Sequence, residues 1–182
     1  MNAFVVLWSN EWCEKLKKVA KNDLLSVVYG GPHQSIPSLG KVNVGDWIYP
    51  LRIKSGKLFL IGRMKVQEIR DAEAYLIEIG IPRTKGELWD TLSGKYLTTH
   101  SHFGHRIPRN CVDDVAIGNE GTIINFEREI PLDIIKKLTF GPIAQQEKAL
   151  PLKDNKVSHI NLQGHYRRLG EDSRRLLDTM LI

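Results

Sequence analysis

Three histidines, His100, His102 and His105, form the densest group of titratable side chains in the sequence. On a strand or loop, His100 and His102 point to the same side, where they are able to chelate Zn²⁺. A tight site needs further ligands, and the spacing from His105 to Cys111 fits no structural zinc pattern. We therefore predict no metal site. We interpret His102, His105 and Arg106 as candidate contacts to nucleic acid or substrate, with a plain surface loop as the alternative.

The segment Gly30–Ser35 follows a predicted strand and begins with two glycines. Glycines let a backbone approach a ligand closely, so His33 and Ser35 are candidates for hydrogen bonds to a base edge or for catalysis. An ordinary turn is the alternative. The segment lacks the GxGxxG and GxxxxGKS/T spacings, so we expect no nucleotide cofactor. Because no GxSxG motif or comparable nucleophile signature occurs, we assign no catalytic residue.

Aromatic and cationic residues occur together in the first third of the chain and just beyond it. This candidate nucleic-acid-binding set comprises Trp12, Trp47, Tyr49, Arg52, Lys54, Arg63 and Lys65. A base that stacks on Trp or Tyr gains about 1–3 kcal/mol, and cations at the rim hold phosphates. Alternate residues of a strand face opposite sides, so Trp47 and Tyr49 share one face while Arg52 and Lys54 share the other. The alternative is therefore an aromatic core with solvated cations outside it.

A second group of cations lies near the end of the sequence. It comprises Arg167, Arg168, Arg174 and Arg175, with the acids Glu171, Asp172 and Asp178 close by. Arginine binds phosphate in a bidentate manner, but the neighbouring acids equally favour an internal network of ion pairs.

The elements that position these residues are mostly strands in the first half. Periodicity predicts strands at Ala3–Trp8, Leu24–Tyr29, Asp46–Lys54, Lys57–Ile69 and Tyr75–Gly80, and an amphipathic helix at Asn10–Lys21. Ser55 and Gly56 fit a tight hairpin turn. Gly62 predicts a bulge or bend in the long fourth strand; Leu58, Leu60, Met64 and Val66 are expected on one face of it.

The second half carries weaker signals. A capping box predicts a helical turn within residues 84–92, Lys95–Asn110 is predicted as loop, and Val112–Ile117 with Thr122–Glu127 as a hairpin. Short helices are expected after Pro131 and from Glu171 to Ile182. Many strands with few helices favour an α+β class, and five to seven short strands suit a small mixed β-barrel. Strand signals on both sides of every loop favour one domain over residues 1–182.

The composition is that of an ordinary globular protein, with 182 residues, 42% hydrophobic and 26% charged. The two cysteines exclude a disulfide scaffold and favour a reducing, cytoplasmic compartment. No apolar run reaches the roughly 20 residues that span a bilayer, and the first residues resemble a strand more than a signal peptide. We therefore expect no membrane partner. The net charge is +5, of which residues 1–60 contribute +4 (8 Lys and Arg against 4 Asp and Glu); this excess permits nucleic-acid binding without requiring it.

The box Val44–Tyr49 and the hairpin from Arg52 to Val66 resemble the PUA-like superfamily, which includes the ASCH, EVE and YTH domains. In such domains a Gly-Asp turn commonly opens a barrel strand ahead of a long hairpin. The strand-helix unit from Phe4 to Lys21 is similar in placement. The resemblance covers about residues 1–80; the second half is elaborated and looks like that of a prokaryotic branch.

The resemblance implies a PUA-like barrel that binds RNA, or DNA with a modified base, or a nucleotide. In several relatives an aromatic-walled pocket holds a flipped base, and a methylated base is told apart by the shape of such a pocket. We therefore expect a reader that catalyses no reaction. The alternatives are a small hydrolase or nuclease that uses His33 or the His100–His105 loop, and a protein-interaction module.

Overall fold

The computed structural model describes residues 1–18, 20, 22–30, 39–80, 88–90, 106–108, 114–142, 145–162 and 167–182, with the side chains of residues 11, 12, 15, 88–90 and 106–108 left outside this description. Apolar β-branched residues are frequent in the longer strands β1, β3 and β8. The strands are β1 (Ala3–Trp8), β2 (Val27–Gly30), β3 (Trp47–Lys54), β4 (Lys57–Leu60), β5 (Met64–Asp71), β6 (Leu88–Asp90), β7 (Arg106–Pro108), β8 (Asp114–Asn119), β9 (Thr139–Gly141), β10 (Lys148–Ala149), β11 (Leu152–Lys153), β12 (Lys156–Val157) and β13 (Arg167–Leu169).

Nine of these strands form one mixed sheet, in the order β10-β9-β13-β1-β3-β5-β8-β2 with β4 attached to β3. Strand β1 runs parallel to β3, and the other neighbours in this order are antiparallel. This sheet-dominated architecture agrees with the predicted α+β class. The order ends at β10 and β2, and no pairing within the described ranges closes it, so barrel closure stays a prediction.

The helices are short and lie beside the sheet. They are α1 (Asn10–Leu16), α2 (Ala72–Glu78), α3 (Leu132–Ile135) and α4 (Glu171–Thr179), with a 3-10 turn at His159–Asn161. The predicted helices at the start, after Pro131 and at the end are confirmed, although α1 ends five residues before the predicted Lys21. None of the helices that the structure describes is long and apolar enough to cross a membrane.

Successive residues of β1 and β3 enter two different hydrophobic cores, because side chains alternate across a strand. Phe4 and Ile48 lie in the first core, which α1 covers with Cys13 and Leu16. The second core contains the residues of β1 and β3 whose side chains point to the other side of the sheet, and it is covered by α3 and α4. Its members include Ala3, Val5, Trp47, Tyr49, Leu51, Ile135 and Leu177. The predicted alternation of β3 is therefore confirmed, and its two faces are both buried.

A buried carboxylate sets the start of β3 against β1. Asp46 accepts a hydrogen bond from the backbone N–H of Asn2 at 2.6 Å and another from that of Asn43 at 3.0 Å. The preceding turn needs a left-handed residue, which Gly45 supplies with φ +91°. The Gly-Asp pair thus closes the turn and places Trp47 beside Ala3 in the parallel register.

The long hairpin forms as predicted up to Leu60 and then changes face. Ser55 and Gly56 adopt positive φ in the turn, and residues 61–63 separate β4 from β5, which confirms an interruption at Gly62. Leu58 and Leu60 lie in the second core, whereas Met64 and Val66 lie in the first. The prediction that these four residues share one face is wrong, because the interruption shifts the alternation.

The strand predicted at Tyr75–Gly80 is wrong, since these residues belong mostly to helix α2. Asp71, the last residue of β5, accepts a hydrogen bond from the backbone N–H of Ala74 at 2.7 Å and so caps the helix. Ala72 and Leu76, one helical turn apart, are both fully buried. The capping aspartate and this spacing were the signals for a helix.

The predicted hairpin of Val112–Ile117 with Thr122–Glu127 is also wrong. Strand β8 pairs with β2 and β5 instead, and only Ile123 of the second segment forms an isolated bridge, to Leu24. Residues 88–90, predicted helical, form strand β6, which pairs with β7 from the segment predicted as loop. The remaining residues of those two segments lie outside the described ranges.

A close backbone approach at Gly121 generates a stability prediction. A Cβ atom on Gly121 lies 1.9 Å from the carbonyl oxygen of Leu25, so Gly121→Ala forces the two segments apart. We expect a loss of about 3 kcal/mol in the free energy of unfolding, measured by urea denaturation. The control is Gly80→Ala, where φ is +78° and space is open; left-handed strain there costs about 1 kcal/mol. Equal losses in the two variants contradict the prediction.

Candidate nucleic-acid interface

Arg52 is fully buried and joins α1 to the sheet. Its Nε donates to Oδ1 of Asn10 at 2.9 Å, its Nη1 donates to the carbonyl oxygen of Phe126 at 3.4 Å, and its Nη2 donates to Glu14. The guanidinium is therefore satisfied by its own chain and does not reach a phosphate in this arrangement. The prediction that Arg52 belongs to an exposed cationic surface is wrong, because its side chain is buried on the face of β3 that carries the first core.

Lys54 follows Arg52 on the same face of β3, at the exposed end of the strand. Its Nζ lies 3.4 Å from the carboxylate of Glu14, and both side chains are 44% exposed. Pairs this exposed contribute little to stability. Lys54 therefore remains accessible to an anion, but on the sheet face opposite Trp47 and Tyr49.

Trp47 lies close to two cations, on the face of β3 that carries the second core. The guanidinium carbon of Arg63 is 4.6 Å from a ring centroid of Trp47, and the Nζ atom of Lys65 is 5.9 Å from one. The indole N–H donates to the sulfur of Met1 at 3.2 Å. Trp47 is left 7% exposed. We call Trp47, Arg63 and Lys65 the Trp47 face.

The two cations of the Trp47 face are about equally exposed, but their acidic partners are not. Arg63 donates to Asp178 at 2.5 Å, with side-chain exposures of 28% and 21%. Lys65 lies 2.9 Å from Glu120, with side-chain exposures of 30% and 54%. Because exposed pairs are easily exchanged for other ions, Lys65 is the group of this face that an external phosphate is able to capture.

Helix α4 holds Tyr49, the aromatic residue two positions after Trp47, through a hydrogen bond to Asp178. Asp178 accepts hydrogen bonds from the Tyr49 hydroxyl at 2.7 Å and from Arg174 at 2.9 Å, besides the one from Arg63. Burial, and then the hydrogen bond to Asp178, raise the pKa of Tyr49 well above its ordinary value. Hydrogen bonds from Arg174 hold the pKa of Glu171 at about 2. Glu171 therefore stays ionised at neutral pH and pairs within α4 with Arg174 and Arg175. Asp178 is the residue that attaches α4 to the sheet, through Tyr49 and Arg63.

The structure thus brings Trp47, Arg63 and Lys65 together and separates them from Arg52 and Lys54. Tyr49 is fully buried and does not form a second wall of an open pocket. The role of Asp178 at this face was missed, although its spacing from Arg174 is the ordinary i,i+4 signal for an ion pair on a helix.

Other predicted contacts fall outside the description. His33, Ser35, His102 and His105 lie in undescribed segments, and for Trp12 and Arg106 only the backbone is described. Within the described ranges, no group of three or more His, Cys, Asp or Glu side chains is placed to hold a metal ion.

Comparison with known proteins gives little. No family model and no curated protein matches the sequence. Two mutant forms of ZmASCH from Zymomonas mobilis are similar in structure, with 12% sequence identity and a TM-score of 0.33. The alignments cover 85% of this chain and 90% or 93% of theirs. ASCH is among the domains that the sequence resembles.

The triple role of Asp178 predicts a measurable contribution to stability. Asp178→Asn removes the charge that pairs with Arg63 and Arg174, and we expect a loss of about 1–3 kcal/mol in the free energy of unfolding. Asp172→Asn on the same helix is the control, because Asp172 makes no ion pair within the described residues; a loss below about 1 kcal/mol is expected there. Urea denaturation measures both, and similar losses contradict the assignment.

The buried position of Arg52 predicts a second difference. Arg52→Met leaves the Phe126 carbonyl and Asn10 without their donor, so we expect a loss of about 1–3 kcal/mol in unfolding free energy. Lys54→Met removes a partner of the same Glu14 from an exposed site and should change stability by less than about 1 kcal/mol. Thermal and urea unfolding compare the two variants; a larger loss in Lys54→Met refutes the structural role of Arg52.

Proposed function

We propose that the protein binds nucleic acid, either RNA or DNA with a modified base, through the Trp47 face. The observation that carries this proposal is the pair of cations, Arg63 and Lys65, on one tryptophan ring. An aromatic ring with cations close to it offers both components that single-stranded nucleic acid needs, a surface for a base and charge for its phosphates.

Arg63 and Lys65 have different roles in this proposal. Arg63 is fixed by Asp178 and keeps its position over Trp47. Lys65 exchanges the exposed carboxylate of Glu120 for a phosphate, since an exposed pair offers little resistance. Binding by this exchange releases counterions from the nucleic acid, so the affinity falls as the salt concentration rises.

In this proposal, Lys65 also moves away from the Trp47 ring when it binds a phosphate, and this makes room for a base. The ammonium group now lies near the Trp47 ring, which is nearly covered. A lysine that turns towards a phosphate uncovers part of the indole, and an unstacked or flipped base then contacts it. A methyl group on the base adds apolar contact with the ring, so a modified base is favoured by the same geometry.

The Trp47 face belongs to a sheet that both halves of the chain build. We propose that residues 1–182 form one PUA-like barrel domain, because strands from both halves of the chain pair in this sheet. A cytoplasmic location is supported by the low cysteine content.

The test compares two lysines in similar exposed ion pairs. We expect Lys65→Gln to weaken binding of fluorescent single-stranded RNA and DNA, and to reduce the slope of log affinity against log salt by about 0.7. Lys57→Gln is the matched control, because Lys57 pairs with Glu129 at 3.0 Å on β4, away from Trp47; its slope should equal that of the unmodified protein. Fluorescence anisotropy over a series of salt concentrations gives both slopes.

Two results contradict the proposal. The unmodified protein shows no salt-dependent binding to either strand, or Lys57→Gln lowers the slope as much as Lys65→Gln does. In the second case binding follows the net charge of the protein and not the Trp47 face. Methylated and unmethylated oligonucleotides in the same assay test base recognition, for which tighter binding of the methylated strand is expected.

A further inference from the structure

A cleft of about 550 Å³ opens beside the sheet edge formed by β9 and β10. Phe140 and Leu150 supply apolar surface, and three amides with two cations supply polar groups. These polar residues are Gln145, Gln146, Asn161, Lys148 and Arg167. This size and mixture are typical of a site for a small polar molecule with an apolar part. We call it the Arg167 cleft.

Arg167 differs from the other arginines whose side chains the structure describes. Each of the others has a carboxylate or carbonyl partner: Arg52, Arg63, Arg70, Arg128, Arg168, Arg174 and Arg175. The Nε atoms of both Arg63 and Arg167 are buried without a hydrogen-bond partner, but Arg63 pairs with Asp178 through Nη1, whereas the Arg167 side chain makes no ion pair in the described part of the chain. A buried donor without an acceptor is unfavourable, so an external acceptor in the cleft stabilises this arrangement.

The charges around the cleft favour an anion with more than one negative charge. Lys148, which also lines the cleft, makes no ion pair within the described ranges. The one carboxylate of the lining, Glu147, lies 3.3 Å from Arg168, which compensates its charge. Residues 132–169 hold seven Lys and Arg against three Asp and Glu, an excess of +4. A phosphate monoester carries about −1.5 to −2 at neutral pH, whereas a carboxylate offers a single charge to two cations.

We propose that the Arg167 cleft binds a phosphate monoester that carries a flat polar group. Arg167 and Lys148 hold the phosphate, Phe140 packs against the flat group, and the amides of Gln145, Gln146 and Asn161 hydrogen-bond its edge. A free nucleoside monophosphate and the phosphorylated end of a nucleic-acid strand both present this chemistry. The site does not depend on the Trp47 face, because none of its residues belongs to that face.

Calorimetry with adenosine 5′-monophosphate, adenosine and inorganic phosphate tests the cleft. We expect the monophosphate to bind at least about tenfold more tightly than adenosine, and Arg167→Gln to weaken it by about tenfold or more. Arg175→Gln is the control, since its side chain is 70% exposed and pairs with Glu171 on α4; binding should be unchanged. Because the Arg167 side chain makes no ion pair within the described residues, the unfolding temperature of Arg167→Gln should not fall below that of the unmodified protein.

Oligonucleotides with a 5′-phosphate or a 5′-hydroxyl separate the two sources of the phosphate. If only the phosphorylated strand loses affinity in Arg167→Gln, the strand end is the ligand; if only the free monophosphate does, the ligand is a free nucleotide. The inference is overturned if neither ligand binds, or if both bind Arg167→Gln as tightly as the unmodified protein. Lys65→Gln should retain monophosphate binding, so a failure of the Trp47 face is distinguishable from a failure of the cleft.

Discussion

The alternation of β3 is the constraint on which the rest of the structure depends. This strand is bonded to β1, β4 and β5, so its side chains have only two directions, and each direction leads into a buried core. Tyr49 is sent to the second core and Arg52 to the first. An aromatic pocket with all of its cations along one strand is therefore geometrically excluded. Among the described residues, the cations beside Trp47 are Lys65 of the neighbouring strand β5 and Arg63 just before that strand.

Internal ion pairs decide which cations remain available to a ligand. In the first third of the chain, Lys17 and Lys57 pair with Glu127 and Glu129, which are distant in sequence. The sequence excess of +4 in residues 1–60 is thus reduced by acids brought in from elsewhere. Arg167 shows the opposite case, because its acidic neighbours in the sequence bind Arg174 and Arg175 instead. Folding, and not composition, assigns the free charge.

Local sequence signals were sufficient where an element depends on its own residues. The tight turn at Ser55 and Gly56, the alternation of β3 and the C-terminal helix all follow from short-range patterns. The signals failed where distant segments compete. The segment from Thr122 pairs with Leu24 and Leu25 and not with β8, and nothing in its composition specifies that partner. The same division holds for the candidate site. Residue type alone was enough to name Trp47, Arg63 and Lys65. The burial of Arg52 was not predictable in this way, because it depends on contacts with Asn10, Glu14 and Phe126, which only the folded chain brings together.

The difference between Arg63 and Lys65 explains how one face can be both rigid and adaptable. A guanidinium held at 2.5 Å by a covered carboxylate keeps its orientation, since that carboxylate also binds Tyr49 and Arg174 and cannot turn away alone. An ammonium paired with an exposed glutamate has no such restriction. Had the two cations been exchanged in sequence, the flexible group would be fixed by α4 and the planar group would face solvent. The observed order pairs the cation nearer the ring with the less exposed carboxylate, and the cation farther from it with the more exposed one.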